Sequence, residues 1–209
     1  NPECVQYLPN PIDTKKIHEL AQERFNDGRD CIFGTRYVVN VANFIEQKNH
    51  RFLIEVYQRL VRSHKNLKLV LLGDGKKKHH IKNMCIEKNL VINDLTENEF
   101  VLDAQVYFLG FQENPYPFVL NSQLFILTSL WEGLPIALLE AMCLGKPVVM
   151  TDCSSAVREI MLGDDEIVDW KKRDGVIRTD FGFVLQNPLG TKIGNYGLWE
   201  QVVGTILVD

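Results

Sequence analysis

The sequence predicts an α/β domain: a parallel sheet with helices on both faces. Three observations carry that prediction. Short apolar runs at residues 67–72, 124–127 and 147–150 hold one charge between them, Lys68, as strands buried on both faces should. The segments between such runs place their apolar residues at helical spacing. Strand and helix alternate along most of the chain, which is the pattern of a sheet assembled from crossover units.

In chain order, residues 1–9 read as a strand end or linker and residues 10–13 as a turn. Ile17, Leu20, Ala21 and Phe25 mark a helix over 14–26, and a loop over 27–30 follows. Residues 37–44 are β-rich and mostly apolar, the first convincing strand. After a loop at 45–49, a helix extends to about residue 64, with Phe52, Leu53, Val56, Tyr57, Leu60 and Val61 as its inner stripe. The strand at 67–72 is ended by Gly73, Asp74 and Gly75, and a helix spans 77–88. Residues 91–105 fit either a short helix or an insertion. A strand at 106–111, a loop at 112–117 and a short helix near 116–122 precede the strand at 124–127. Pro135 is expected at the first position of the next helix, where its missing N–H is not needed. Gly145 suits a left-handed stop to that helix. A strand at 147–150, a loop and short helix at 151–161, a strand at 181–185 and a helix at 198–207 complete the chain, with no internal repeat.

Composition narrows the function classes. The 209 residues carry a net charge of -4, which argues against broad nucleic-acid binding, and no apolar run reaches membrane-spanning length. The five cysteines, Cys4, Cys31, Cys85, Cys143 and Cys153, form no C-x-x-C pair, so reduced thiols and a cytoplasmic setting are expected. His79 and His80 follow three lysines with no neighbouring acid or thiol, so they read as a solvated helix start rather than a metal site. Asp164 and Asp165 form no metal motif, and no G-x-G-x-x-G follows a strand, which disfavours a dinucleotide-binding or flavodoxin-like reading.

In a parallel sheet, ligands bind outside the carboxyl ends of the strands. The loops expected there, 43–48, 73–75, 110–114 and 129–135, bring together Lys48, several glycines, a helix N-terminus and Glu132. Glu140 is an acid in a helix that is apolar nearly all round, so it needs a polar partner. Amides at helix starts bind phosphate and carboxylates accept hydrogen bonds from hydroxyls. A ligand with phosphate at one end and hydroxyls at the other is expected.

These segments together resemble the group 1 (family 4) glycosyltransferases, retaining enzymes of GT-B fold. The likeness runs over residues 7–187, through 10–13, 41–50, 69–75, 106–111 and 129–140; the last holds two glutamates, Glu132 and Glu140, with seven residues between them. The resemblance implies a Rossmann-like three-layer domain, the C-terminal, donor-binding half of that fold. Residues 1–209 would be one such domain, with 1–30 as a leading segment and the N-terminal acceptor domain absent. It implies Lys48 on the donor diphosphate, Glu132 on the sugar hydroxyls, and Lys48 and Glu132 as the catalytic pair. Gly133, Leu134 and Pro135 would shape the pocket, Glu140 would hold the ribose, and Gly110 and Phe111 would lie at the base. Glu159 matches a further family glutamate. Trp131 and Phe111 are expected first of all to pack, and Gly73 and Gly75 to end a strand.

One departure stands out: the family's arginine five residues before the lysine is Asn43 here, so a charge-assisted fork to phosphate is lost. Arg36, or an arginine from elsewhere, is the candidate replacement. The expected function is transfer of a hexose-type sugar from a nucleotide-diphosphate donor to an acceptor hydroxyl, in polysaccharide or lipopolysaccharide biosynthesis. It needs no metal or other cofactor, and any membrane association would be peripheral and through the full-length parent. The alternatives are a nucleotide-sugar 2-epimerase, or a degenerate non-catalytic binding or interaction module.

Overall fold

The computed structural model describes residues 12–163, 168–170, 173–190 and 195–207; the expectations for 1–9, the first half of the turn at 10–13, Cys4, and Asp164 with Asp165 lie outside them. Eight strands form one sheet in the order β3-β4-β2-β1-β5-β6-β8-β7. They are β1 (Tyr37–Val41), β2 (Lys68–Leu72), β3 (Ile92–Asp94), β4 (Val106–Phe108), β5 (Leu124–Leu127), β6 (Val148–Thr151), β7 (Val176–Thr179) and β8 (Gly182–Leu185). All neighbours pair parallel except β7, which runs antiparallel to β8 at one edge. The α/β reading, with a Rossmann-like parallel sheet between helical layers, holds.

Alternation along the strands divides the core in two. Val38, Leu69, Leu71, Phe108 and Ile126 face a layer made by α2 (His50–Ser63), α3 (Lys78–Glu87) and α7 (Tyr196–Ile206). Val39, Val70, Leu72, Phe125 and Leu127 face α1 (Thr14–Leu20), α4 (Tyr116–Leu120), α5 (Ile136–Cys143) and α6 (Ser155–Leu162). Each large apolar side chain so buried contributes roughly 1.5–3 kcal/mol. The predicted stripe of α2 is inward, with Phe52 stacked on Tyr196 at 4.8 Å and edge-on to Trp199 at 5.4 Å. Tyr57 is buried with its hydroxyl proton shared between the carbonyls of Leu67 (2.8 Å) and Gln105 (2.9 Å), so the phenol is satisfied.

Several boundaries differ from expectation. The first helix stops at Leu20, and residues 29–34 form a 3-10 turn that the sequence reading placed partly in a loop. The strands at 37–44 and 106–111 end early, at Val41 and Phe108: Ala42 and Leu109 still donate to the β2 carbonyls of Leu72 and Leu71 (both 2.9 Å), and beyond them Phe44 and Gly110 bond to the loop residues Asp74 and Gly73. The ambiguous stretch 91–105 contains β3, whose Asp94 is fully buried between Lys78 (3.0 Å) and Lys82 (2.8 Å) of α3. The edge strand β7 is not among the predicted strands; it is short and only partly buried, with Arg178 exposed, so it lacks the continuous apolar run of the inner strands. Pro135 caps α5 instead of opening it, since its ψ of 92° is extended, and α5 ends at Cys143. The last helix begins two residues earlier than expected, at Tyr196. His79 and His80 lie exposed on the first turn of α3, and among the described residues no three metal-ligating side chains cluster. Cys31, Cys85, Cys143 and Cys153 are free, and no helix among the described residues is long and apolar enough to cross a membrane.

Candidate functional site

The loops leaving β1, β2, β4 and β5 do meet at the carboxyl edge of the sheet. The backbone ties them: Phe44 N–H donates to the Asp74 carbonyl at 2.8 Å, and Gly73 N–H to the Gly110 carbonyl at 2.8 Å. Gly73 has φ +133°, and a Cβ there would overlap the Ala42 carbonyl. Glycine is therefore required for the loops to approach so closely, a stronger demand than ending a strand. Gly110, at φ +71°, would place a Cβ 2.6 Å from the Thr96 side chain.

The loop after β1 forms a 3-10 turn, Glu46–Lys48, and then reverses at Asn49 (φ 49°, ψ 44°) into α2. It is stitched to the loop after β5. Leu130 N–H donates to the Gln47 carbonyl at 2.7 Å, and the Thr128 hydroxyl lies 3.2 Å from the carbonyls of both Lys48 and Asn49. This brings Lys48 and Glu132, 84 residues apart, into an ion pair of 2.6 Å between Nζ and Oε1. The Glu132 side chain is 5% exposed and that of Lys48 20%. Glu132 Oε1 also accepts from the Ser129 hydroxyl at 2.6 Å, and Oε2 from Gln47 Nε2 at 3.2 Å. Gln47 further donates to the Trp131 carbonyl at 2.8 Å. The carboxylate is thus fully engaged, as a nearly buried charge must be.

The pair borders a cleft of about 300 Å³, walled by Val41, Leu72, Leu127, Leu134 and Ile136. Asn43, Phe111, Gln112 and Pro135 also line it. Ile136 and Ala137, the first two residues of α5, line it as well, so the cleft lies at the N-terminal end of that helix, where the free amides and the positive end of the helix dipole are found. Of the expected residues, Asn43, Lys48, Phe111, Glu132, Leu134 and Pro135 share this cleft. Gly110 and Gly133 are adjacent in the loops but do not line it.

Glu140 is also outside the lining. It sits one turn along α5 from Ile136, on the same face, half-buried, and accepts a hydrogen bond from the Tyr116 hydroxyl at 2.8 Å. A helix so apolar is expected to be buried all round, and α5 is not: Leu138 and Ala141 are its buried residues, Met142 and Cys143 are only partly buried against the core, and Ile136 and Ala137 line the cleft.

Other expectations are also corrected. Phe111 is 71% exposed at the cleft mouth and Trp131 51% exposed, so neither is a core packing residue. Arg36 cannot replace the missing arginine. It precedes β1, about 16 Å of strand away from Asn43, and its guanidinium donates to the Leu207 carbonyl. Glu159 is exposed on α6 and does not line the cleft.

Gln47, Ser129, Gln112 and Tyr116 were not singled out from sequence; their partners lie on other loops, and only the adjacency of Gln47 to Lys48 and of Ser129 to the glutamate motif hinted at two of them. His50, behind the cleft, stacks on Phe44 at 4.2 Å. Burial, and then the Lys48 charge, push its pKa down to about 3, so the ring is neutral at physiological pH.

Comparison with known proteins agrees with this architecture. Residues 32–168, well over half of the chain, match the profile of the family described as Glycosyl transferases group 1. An uncharacterized glycosyltransferase of Methanocaldococcus jannaschii is 35% identical over 163 residues, 78% of this chain and 37% of that protein. The N-acetylgalactosamine-N,N'-diacetylbacillosaminyl-diphospho-undecaprenol 4-alpha-N-acetylgalactosaminyltransferase of Campylobacter jejuni is 32% identical over 166 residues, 79% of this chain and 40% of that protein. The chain therefore spans well under half the length of these relatives. Among solved structures, a mutant of TarM from S. aureus, in complex with Fondaparinux, alpha-GlcNAc-glycerol and UDP, superposes with a TM-score of 0.60 at 20% identity, covering 82% of this chain and 28% of that one. The fold is thus that of the GT-B enzymes, and the profile match together with these relatives shows that the chain belongs to the group 1 glycosyl transferases.

Proposed function

We propose that this chain is the donor-binding domain of a retaining glycosyltransferase, holding a nucleotide-diphosphate sugar while its hexose-type sugar passes to an acceptor hydroxyl. The observation that carries the reading is the Lys48–Glu132 pair, 2.6 Å apart in a cleft beside the start of α5. An ammonium, helix-start amides and a carboxylate in one apolar-walled space suit a diphosphate joined to a polyol.

In this reading Lys48 and the α5 amides bind the diphosphate and stabilise charge on the leaving phosphate, with no metal ion required. Glu132 receives the sugar hydroxyls, and the backbone at Gly133, Leu134 and Pro135 shapes that end of the cleft. Glu140 holds the ribose, and Phe111, beside Gly110, offers an exposed ring to the base. Donor binding has to exchange partners: the ammonium turns from Glu132 to phosphate as the sugar hydroxyls take its place. Asn43 leaves the diphosphate with one cation fewer than the family pattern, so affinity should be modest. The name of the Campylobacter jejuni relative, a transferase acting on a diphospho-undecaprenol, supports a role in polysaccharide or lipid-linked sugar assembly; the expected setting is the cytoplasm, with any membrane contact made by the rest of the parent protein.

A thermal-shift panel of UDP, GDP and their sugars tests this, since a ligand that binds the folded state raises its melting temperature. Stabilisation by at least one nucleotide sugar, lost in Glu132→Ala and Glu140→Ala, is expected, with no transfer by this chain alone. The parent protein should release nucleoside diphosphate. A changed sugar still attached to the nucleotide would mark an epimerase instead. No shift at millimolar ligand would leave the non-catalytic interaction module, which the loss of charge at Asn43 favours.

A further inference from the structure

We propose that Tyr116 is a positioning residue for nucleotide recognition: its phenol fixes the Glu140 carboxylate so that the second oxygen faces the ribose diol. The inference rests on the reading of the cleft as a nucleoside-diphosphate site and names a residue which that reading does not use.

The Tyr116 hydroxyl donates to Glu140 Oε1 at 2.8 Å, from the first residue of α4 to the middle of α5. The phenol stays a donor across the working pH range, since burial, then the bond to Glu140, push its pKa up to about 12.

The loop that carries it is held at several points. Tyr116 N–H donates to Asn114 Oδ1 at 3.2 Å. Asn114 Nδ2 in turn donates to the Leu20 carbonyl at 2.9 Å and to Glu23 Oε2 at 2.7 Å. Gln112, in the same loop and on the cleft wall, accepts from Arg29 at 2.8 Å and donates to the Leu109 carbonyl at 2.6 Å. The phenol is therefore anchored to the segment at 20–29 rather than free to follow Glu140.

A glutamate on a helix surface has three side-chain torsions to fix, and ordering them opposes binding. With Oε1 already bonded to a fixed donor, Oε2 and the remaining lone pairs have one orientation in which to accept the two hydroxyls of a ribose. A purely structural role, satisfying a half-buried carboxylate, would affect stability and all ligands alike. A positioning role is felt only by ligands that carry the diol.

The test is a binding cycle. The wild-type chain, Tyr116→Phe and Glu140→Gln are titrated calorimetrically with UDP, GDP and their 2′,3′-dideoxy forms. The wild type should prefer the ribonucleotide by about tenfold, the size of one hydrogen bond to a charged group. Tyr116→Phe should reduce that preference to about threefold or less and leave the 2′,3′-dideoxy affinity unchanged. Glu140→Gln should also weaken the preference.

Tyr116→Phe that keeps the wild-type ratio while Glu140→Gln loses it overturns the inference and leaves the functional reading standing. Wild type that binds no nucleotide, or shows no ribose preference, overturns the reading at Glu140 and the inference with it. If Tyr116→Phe does not fold, Asn114→Ala serves in its place, since it loosens the loop and keeps the phenol. It should lower the ratio in the same direction, and an unchanged ratio there overturns the inference.

Discussion

Lys48 and Glu132 each satisfy the other in a place where neither reaches water freely, so removing one charge strands its partner. Lys48→Met should destabilise the fold by about 3 kcal/mol in a urea titration. Adding Glu132→Gln should recover much of that loss, because no buried charge is then left alone, without restoring nucleotide binding. Failure of the second substitution to recover stability would mean that packing of the lysine stem, not charge, dominates at this position. His50 and Asp94 set the acid side of the stability curve. His50 is held neutral, its pKa down at about 3 from the ordinary 6.5, so the unfolded chain takes up a proton first and stability falls as pH drops from 6.5 toward 3. Burial alone would raise the pKa of Asp94, but Lys82, Thr96 and Lys78 hold it down to about 2 from 3.8, so its contribution is lost as pH falls from about 3.8 toward 2. His50→Leu should flatten the upper part of this acid limb and leave the lower part unchanged, measured by denaturant unfolding at a series of pH values.

At the scale of elements, the cleft exists because four loops can crowd together, and Gly73 is the tightest point. Gly73→Ala combines a left-handed backbone with overlap on the Ala42 carbonyl and should cost roughly 2–3 kcal/mol. Gly145→Ala, with φ +66° and open space around it, should cost about 1 kcal/mol. Equal melting temperatures for the two variants would contradict this account of the loop crossing. The inner strands and the long helix α2 were legible in the sequence, because burial on both faces or on one stripe imposes a composition. Edge strand β7 was not, since a strand with Arg178 facing solvent carries no such composition. Lys48 and Glu132 were legible as parts of local motifs. The Ser129 and Gln47 bonds to Glu132, and the Tyr116 bond to Glu140, depend on how loops dock, which no local pattern encodes. For the same reason Phe111 and Trp131, read as packing residues by their chemistry, prove to be exposed at the site.

For the whole molecule, the sheet separates two cores, and the one away from α5 is closed by α7 against α2. Trp199 is its largest fully buried side chain, set edge-on to Phe52. Trp199→Ala should cost about 3–5 kcal/mol by opening a cavity there. Because the sheet lies between that core and the layer holding α5, nucleotide affinity of the folded fraction should not change, and a joint loss would mean that the two layers are coupled. The charge distribution gives the molecule its polarity: a net acidic chain that concentrates a lysine, helix-start amides and an exposed ring at one edge of the sheet. Under the proposed function this edge binds a nucleoside diphosphate through Lys48. Calorimetric titration of wild type and Lys48→Met with UDP and GDP tests it most directly. Wild type should bind at least one of the two, and Lys48→Met, compared below its own unfolding transition, should bind it at least about tenfold more weakly; equal affinity in the two proteins, or no binding to wild type at millimolar nucleotide, would contradict the assignment of Lys48.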